Sequence, residues 1–373
     1  EFLGYTSHQS SASVLALVQN GTRVQSIGAG ETGIAIFERT PFYGEAGGQI
    51  GDTGTIANGD NRATITDTQK PVDGIYAHHV TVESGRISVG VQVDLQVDSK
   101  RRDRIRLNHT ATHLLHAALR DVLGDHVLQK GSMVAPDRLR FDFSHHKAVS
   151  RQELKQVEQA VYAEVLKNKP VNTIECSMDE AVEQGAMALF GEKYGSDVRV
   201  VRVDGFSTEL CGGTHASRTG DIGLFRITGE SSVAAGVRRI EAETGFGASE
   251  TLTSRDESIA EAAGLLKTKP EDLHIAIQRL LDDRKRIAAE LEALKKESAR
   301  QKSGDLISNV RDINGMKVLS AELDCDPKTL RDEADRLRDK VGSGVVVLGS
   351  RQGGSVKLVV TVSKDLAGKD VHA

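Results

Sequence analysis

The sequence predicts an α+β protein of several domains, and three observations carry that reading. Residues 1–98 hold short alternating apolar runs separated by turn dipeptides. Residues 99–248 mix helical and strand periodicities, and residues 249–304 are helical in pattern almost throughout. At 373 residues, with 38% hydrophobic residues, the chain is long enough for two or three cores.

Each element follows from its own signals. In the first segment SVLALV, GIAIFE, ATITD and AHHVTV alternate, and Asn20-Gly21, Asn58-Gly59 and Asp73-Gly74 mark tight turns. A small β-barrel is expected there. Its glycine cluster PFYGEAGGQIGDTG, residues 41–54, reads as hairpin turns; the same glycines would also let backbone N–H groups come close to a phosphate or ribose. Next come a helix over 105–123 and two strand-like runs, LQKGSMV and RLRFDFSH. SRQELKQVEQAVYAEVLKNKP is an amphipathic helix that Ser150 can cap and that ends before Pro170. SMDEAVEQGAMALFG is a further helical stretch, and VRVVRVDGFSTELCGGTH a strand running into a turn.

Within EDLHIAIQRLLDDRKRIAAELEALKKESARQK, Ile277, Leu280, Ile287, Leu291 and Leu294 keep a 3-4 spacing that Arg284 and Ser298 interrupt. That fits either an antiparallel helical hairpin or an oligomerisation coil, so a homodimer through these helices is an expectation. Residues 305–373 start a small α/β module. KVLSAEL is its strand, DPKTLRDEADRLRDKV its Asp326-capped helix, and VVVLGSRQGGSVKLVVTV a hairpin turning at Gly353-Gly354.

Charge and cysteine content narrow the class. The net charge of −5 does not advertise a nucleic-acid binder, and no apolar run is long enough to span a bilayer, so no membrane partner and no leader peptide are expected. Three widely spaced cysteines, Cys176, Cys211 and Cys325, argue against a disulfide framework and for a reducing, cytoplasmic setting. The chain opens on Glu1 rather than Met and is read as a piece of a longer protein. One local charge run stands out: Lys100, Arg101, Arg102, Arg104 and Arg106. It reads as a solvated helix face or as a patch for phosphates.

That run leads into NHTATHLLH, residues 108–116, where His109, His113 and His116 share one helix face. His109 and His116 are about 10 Å apart along the axis, too far for one ion, so His109/His113 or His113/His116 would share a metal. Unrelated core histidines are the bland alternative. A hundred residues on, ELCGGTH places Cys211 and His215 four apart around two glycines, a spacing suited to a turn in which side chains converge. Two imidazoles from a helix with a Cys/His pair from a loop make a tetrahedral N₃S set. That donor set suits one Zn²⁺ per chain rather than magnesium or calcium.

NHTATHLLHAALRDVLGDHVLQKGS, then ELCGGTHASRTGDIGLFRITGESSVAAGVRRIEAETG, with PFYGEAGGQIGDTG and EFLGY upstream and GGSVKLVVTVSKDLAGKDVHA downstream, resemble the alanyl-tRNA synthetase family beyond its aminoacylation portion. The resemblance covers essentially the whole chain. It implies a barrel over 1–98, a zinc-binding editing domain over 99–248, a helical linker or dimerisation helices over 249–304, and a partial tRNA-binding α/β domain over 305–373. It also implies a deacylase that removes serine or glycine wrongly esterified to tRNA(Ala). Carried over by motif, the zinc ligands are His109, His113, Cys211 and His215, which leaves His116 over. Thr112 and Gln129 fall at positions tied to discrimination and hydrolysis. Lys100, Arg101, Arg102, Arg104, Arg238 and Arg239 are expected at tRNA phosphates. Nothing here resembles the ATP-binding portion, so ATP and alanine ligation belong to the longer parent. Two other readings stand beside this one: a free-standing trans-editing deacylase, and a non-catalytic zinc-containing tRNA-binding module.

Overall fold

The computed structural model describes residues 1–187, 197–352 and 354–368. The chain divides into two compact units, Glu1–Asp256 and Glu257–Ala373.

The first unit begins with strands β1 (Gln9–Gln19), β2 (Thr22–Val24), β3 (Ser26–Gly28), β4 (Thr32–Phe37), β5 (Gly54–Asn58), β6 (Asn61–Val72), β7 (Ile75–Ser84), β8 (Arg86–Ser88) and β9 (Gln92–Val97). Among the described residues, six of these run β1-β4-β7-β6-β5-β9, and β9 pairs back onto β1 to close the barrel; β2 extends β1, while β3 and β8 pair separately. Alternation drives this. Ala12, Val14, Leu17, Ile56, Ala63, Ile65, Val80, Val82, Val93 and Leu95 point inward and form one buried cluster. Asn20-Gly21 makes the β1–β2 turn with both residues at positive φ, as a type I′ hairpin requires.

Helix α1 (Ser99–Leu123) follows, capped by Asp98, whose carboxylate accepts the Arg101 amide proton. The helix therefore starts six residues before the expected 105, because the basic run is itself helical. Strands β10 (Gln129–Val134) and β11 (Leu139–Ser144) are antiparallel, as expected. Helix α2 (Arg151–Leu166) carries a full capping box between Ser150 and Glu153.

Strand β12 (Asn172–Ser177) leads to helix α3 (Met178–Glu183), which is shorter than the expected stretch because the chain turns at Gly185, at φ +73°. Residues 188–191 of that stretch lie outside the described residues. Strands β13 (Asp197–Val203) and β14 (Ser207–Leu210) join β12 in one sheet, in the order β12-β13-β14. Strands β15 (Phe225–Ala234) and β16 (Val237–Thr244) complete a second sheet, β10-β11-β16-β15. Helices α1 and α2 pack on that sheet through Leu114, Leu115, Leu119, Phe141, Phe143, Val157, Val161 and Ile240. Helix α4 (Gly245–Leu265) follows and runs past the boundary between the units.

In the second unit, helix α5 (Leu273–Asp305) is continuous, so the 3-4 run does not fold back on itself. Its Ile277, Leu280, Ile287, Leu291 and Leu294 are exposed. Strands β17 (Arg311–Ile313), β18 (Met316–Glu322), β19 (Gly344–Gln352) and β20 (Ser355–Val362) form one sheet in that order, with β18 and β19 parallel across helix α6 (Pro327–Val341). Asp326 caps α6 by accepting from the Lys328 and Thr329 amides. The β19–β20 hairpin is present; Gly353 of its expected turn lies outside the described residues, as does 369–373. Among the described residues no helix is long and apolar enough to cross a membrane.

Candidate metal centre

The two histidine-bearing motifs meet in the first unit. Helix α1 presents His109 and His113 from successive turns, and the loop after β14 presents Cys211 and His215. Their ligand atoms lie within 4.8 Å of one another, and all four residues are buried. Nε2 of His109 and Nε2 of His215 stand 3.4 and 3.3 Å from the Cys211 sulfur. Gly213 lets this happen: a Cβ there would fall 2.0 Å from Cε1 of His109.

The other ring nitrogen of each of the three histidines is taken by a protein oxygen. Nδ1 of His109 meets Oε1 of Gln49 at 2.7 Å, Nδ1 of His113 meets Glu209 at 2.6 Å, and Nδ1 of His215 meets Oγ1 of Thr110 at 3.2 Å. A proton on each Nδ1 leaves three Nε2 lone pairs aimed inward. Nε2 of His113 is buried without a hydrogen-bond partner, which a native interior does not leave without reason. The donor set, the shared orientation and this orphaned nitrogen together fit a bound cation, so the cluster could hold a metal ion.

The electrostatics of the thiol agree with that reading, whereas those of His113 favour its protonated ring, whose proton a bound cation would have to displace. Burial pushes the Cys211 thiol up, but the imidazoles of His109, His215 and His113 outweigh it and hold the thiol well below its ordinary value. Burial lowers His113, and the Glu209 carboxylate more than offsets it, with the Cys211 thiolate adding to the upward shift. His215 is lowered, first by burial and then by His109. Glu209 also accepts from Nδ1 of His116 at 3.0 Å, so the leftover histidine joins the site through that carboxylate.

Gln49, Glu209 and Thr110 were not singled out in the sequence. Gln49 is fully buried and comes from the glycine cluster of the barrel segment. Gly47 and Gly48 make a tight turn at positive φ between the bridged Ala46 and Gln49. Gly47 and Gly48 thus form the expected turn, which brings Gln49 close, whereas Gly51 and Gly54 sit where a Cβ would meet the Thr68 and Gln96 carbonyls. Its Oε1 also accepts from the Thr214 amide at 2.9 Å, and its Nε2 donates to Oγ1 of Thr214 at 3.0 Å.

Thr112 is buried on α1, its hydroxyl donating to the Asn108 carbonyl at 2.8 Å. Gln129 opens β10, half-buried, opposite Phe143.

The basic set needs one correction. Arg102 is not at the surface: it is fully buried, ion-paired with Asp52, and its guanidinium donates to the carbonyls of Gly4 and Pro41 at 2.8 Å each. It staples α1 to the barrel segment and, fully buried, is out of reach of a tRNA phosphate. Arg101 donates to the Gly51 carbonyl at 2.8 Å. Arg238 and Arg239 are engaged with Glu230 and Asp142, at 2.6 Å each. Lys100 and Arg104 are exposed.

A cavity of about 180 Å³ opens onto the cluster, lined by His109, Cys211 and Gly213 on one side and by Phe2, Tyr5 and Tyr76 on the other. The sequence of the first unit matches models of class II tRNA synthetase domains. The family described as tRNA synthetases class II (A) matches residues 1–101, and the threonyl and alanyl tRNA synthetase second additional domain matches residues 198–241. Alanine–tRNA ligases from Pseudomonas syringae pv. tomato and Desulfosudis oleivorans are each 49% identical over 99% of the chain, and one from Magnetococcus marinus is 49% identical over 100% of it. The chain belongs to the alanyl-tRNA synthetase family. It spans 42% of the length of each of these relatives.

Proposed function

We propose that this chain is an editing hydrolase that cleaves serine, and also glycine, from wrongly charged tRNA(Ala), and that a longer parent uses ATP to join alanine to the same tRNA. The observation that supports it most is the cluster itself: four buried donors aimed at one point beside an open cavity, within a chain whose additional-domain match begins just ahead of Cys211. In this reading 1–98 is a supporting barrel, 99–248 the editing domain, 249–304 the linker or dimer helices, and 305–373 a partial tRNA-binding domain. The setting is cytoplasmic.

The ligands are His109, His113, Cys211 and His215, and the ion is zinc. When bound, zinc supplies a fixed positive charge that holds the terminal ribose or the amino group of the substrate. The protein does the rest. Serine is alanine plus a hydroxyl, and an apolar charging pocket rejects such an analogue by only about 10². A second site must recognise the hydroxyl itself, and one that hydrogen-bonds it discriminates by about 10⁴–10⁵. Thr112 donates to Asn108, so its oxygen lone pairs remain as acceptors for a serine O–H. Gln129 orients the attacking water or the ester carbonyl, and exposed Lys100 and Arg104 meet acceptor-stem phosphates.

Deacylation of seryl-tRNA(Ala), with Thr112→Val and Gln129→Ala beside the parent chain, tests the assignment. Serine release that falls at least tenfold in each variant supports it. Release unchanged in both would remove these residues from the mechanism.

A further inference from the structure

A second cavity is lined by the following residues of the same loop, Thr214, His215, Ala216 and Ser217. It measures about 250 Å³ and is also lined by Tyr5, Arg106, Thr173 and Arg199, among others. Tyr5 lines both this cavity and the one that opens onto Cys211. Its hydroxyl donates to the Gly212 carbonyl at 2.6 Å, and the Arg199 guanidinium sits 4.0 Å from its ring centroid.

Both arginines spend only part of their donors on the protein. Arg199 uses Nη1 on the carbonyls of Cys211 and Gly213, at 3.1 and 2.6 Å, and Nη2 on Thr173 at 3.2 Å. Arg106 uses Nε on the His215 carbonyl at 2.7 Å. Its Nη1 stands 3.8 Å from the exposed Asp103 carboxylate, beyond hydrogen-bond reach. Glu175, exposed, lies across the strand pair from Arg199, and Asp221 and Asp52 also act on Arg106 from a distance. A guanidinium carries five N–H donors, so several remain at this cavity, beside the Thr173 and Ser217 hydroxyls.

We infer that this cavity binds the phosphate of the substrate's terminal nucleotide, with Arg106 and Arg199 as its donors. The inference rests on the proposed deacylase reading. Both cavities are lined by the loop that carries Cys211 and His215 and by Tyr5, so a nucleotide whose phosphate is held in the second has its ribose directed to the cluster. The exposed run at Lys100 and Arg104 then serves phosphates further along the chain. Arg106, the last cation of the run, serves the nearest one.

The test is a binding preference. Dissociation constants for adenosine 5′-monophosphate, adenosine and inorganic phosphate are measured on the full metal-loaded chain and on Arg106→Gln, Arg199→Gln and Ser217→Asp. Metal content and thermal midpoint are followed in parallel. Ser217→Asp places a carboxylate at the exposed rim and touches none of the loop carbonyls, so it reports even if an arginine variant unfolds. The expected result is that the parent chain prefers the nucleotide over adenosine by about tenfold or more, and that each variant brings the ratio close to one. A parent chain without that preference, or a folded variant that keeps it, overturns the assignment. So does inorganic phosphate bound as tightly as the nucleotide. Serine release from seryl-tRNA(Ala) is assayed separately. A chain that keeps the nucleotide preference and releases no serine would overturn the hydrolase reading and leave the phosphate cavity standing.

Discussion

Gln49→Ala is the perturbation that reaches furthest into the account, because Gln49 links the barrel segment to both halves of the candidate metal centre. Its Oε1 accepts from Nδ1 of His109 at 2.7 Å and from the Thr214 amide at 2.9 Å. Alanine leaves both donors buried and unpaired, at about 1–3 kcal/mol each, so the folded state should lose about 2–6 kcal/mol. Loss of the partner on Nδ1 also frees the tautomer and the tilt of His109, and partners of this kind are worth roughly 10–100-fold in metal affinity. Gln49→Glu keeps an acceptor at the same place and should hold metal near the level of the parent chain. Competition with a chromophoric chelator gives the affinity, and urea titration gives the stability. Should Gln49→Ala bind zinc within about threefold of the parent chain, the claim that Gln49 orients His109 is wrong.

Other expectations follow from single contacts. Gly213→Ala puts a methyl group 2.0 Å from the His109 ring and should drop zinc stoichiometry well below one, read by metal analysis of folded protein. Asp52→Ala strands a fully buried guanidinium and should cost about 3–5 kcal/mol in urea unfolding. His78 is buried in the barrel between Oγ1 of Thr40 and the Ala35 carbonyl, and burial lowers it to about 4. The unfolded chain therefore binds the extra proton first. This contribution is whole above the unfolded value of 6.5 and is lost as pH falls towards about 4. His78→Phe should flatten that limb of a stability-versus-pH curve, and an unchanged slope would show that His78 does not cause it.

Much of the fold was legible because local chemistry and global structure agree. Asn-Gly turns, the Ser150 and Asp326 caps and strict alternation in the barrel strands each fix their element alone. The two pairs of candidate ligands were legible for the same reason: 3-4 spacing on α1 and a four-residue step around two glycines are local patterns. Their supports were not. Gln49 reaches Thr214 across 165 residues, and no periodicity records such a contact.

Arg102 is the instructive miss. It was read with its charged neighbours, yet it shares a 3-4 stripe with Ile105, His109, His113 and His116, all buried. The stripe, rather than the charge, was the signal. Glu209 carried a similar one, an acid at an inward position of β14 two residues before Cys211. The seam on α5 shows the limit of pattern in the other direction: its apolar positions are regular and exposed, and regularity does not say what covers them.

The measurement that bears most directly on the central claim is the rate of serine release from seryl-tRNA(Ala), with alanyl-tRNA(Ala) as control, for this chain and for Cys211→Ala with zinc assayed in both. The account predicts fast release of serine, sparing of alanine, and loss of both zinc and release in the variant. Zinc and tRNA bound by the parent chain with no release from either ester would contradict it and leave a binding module.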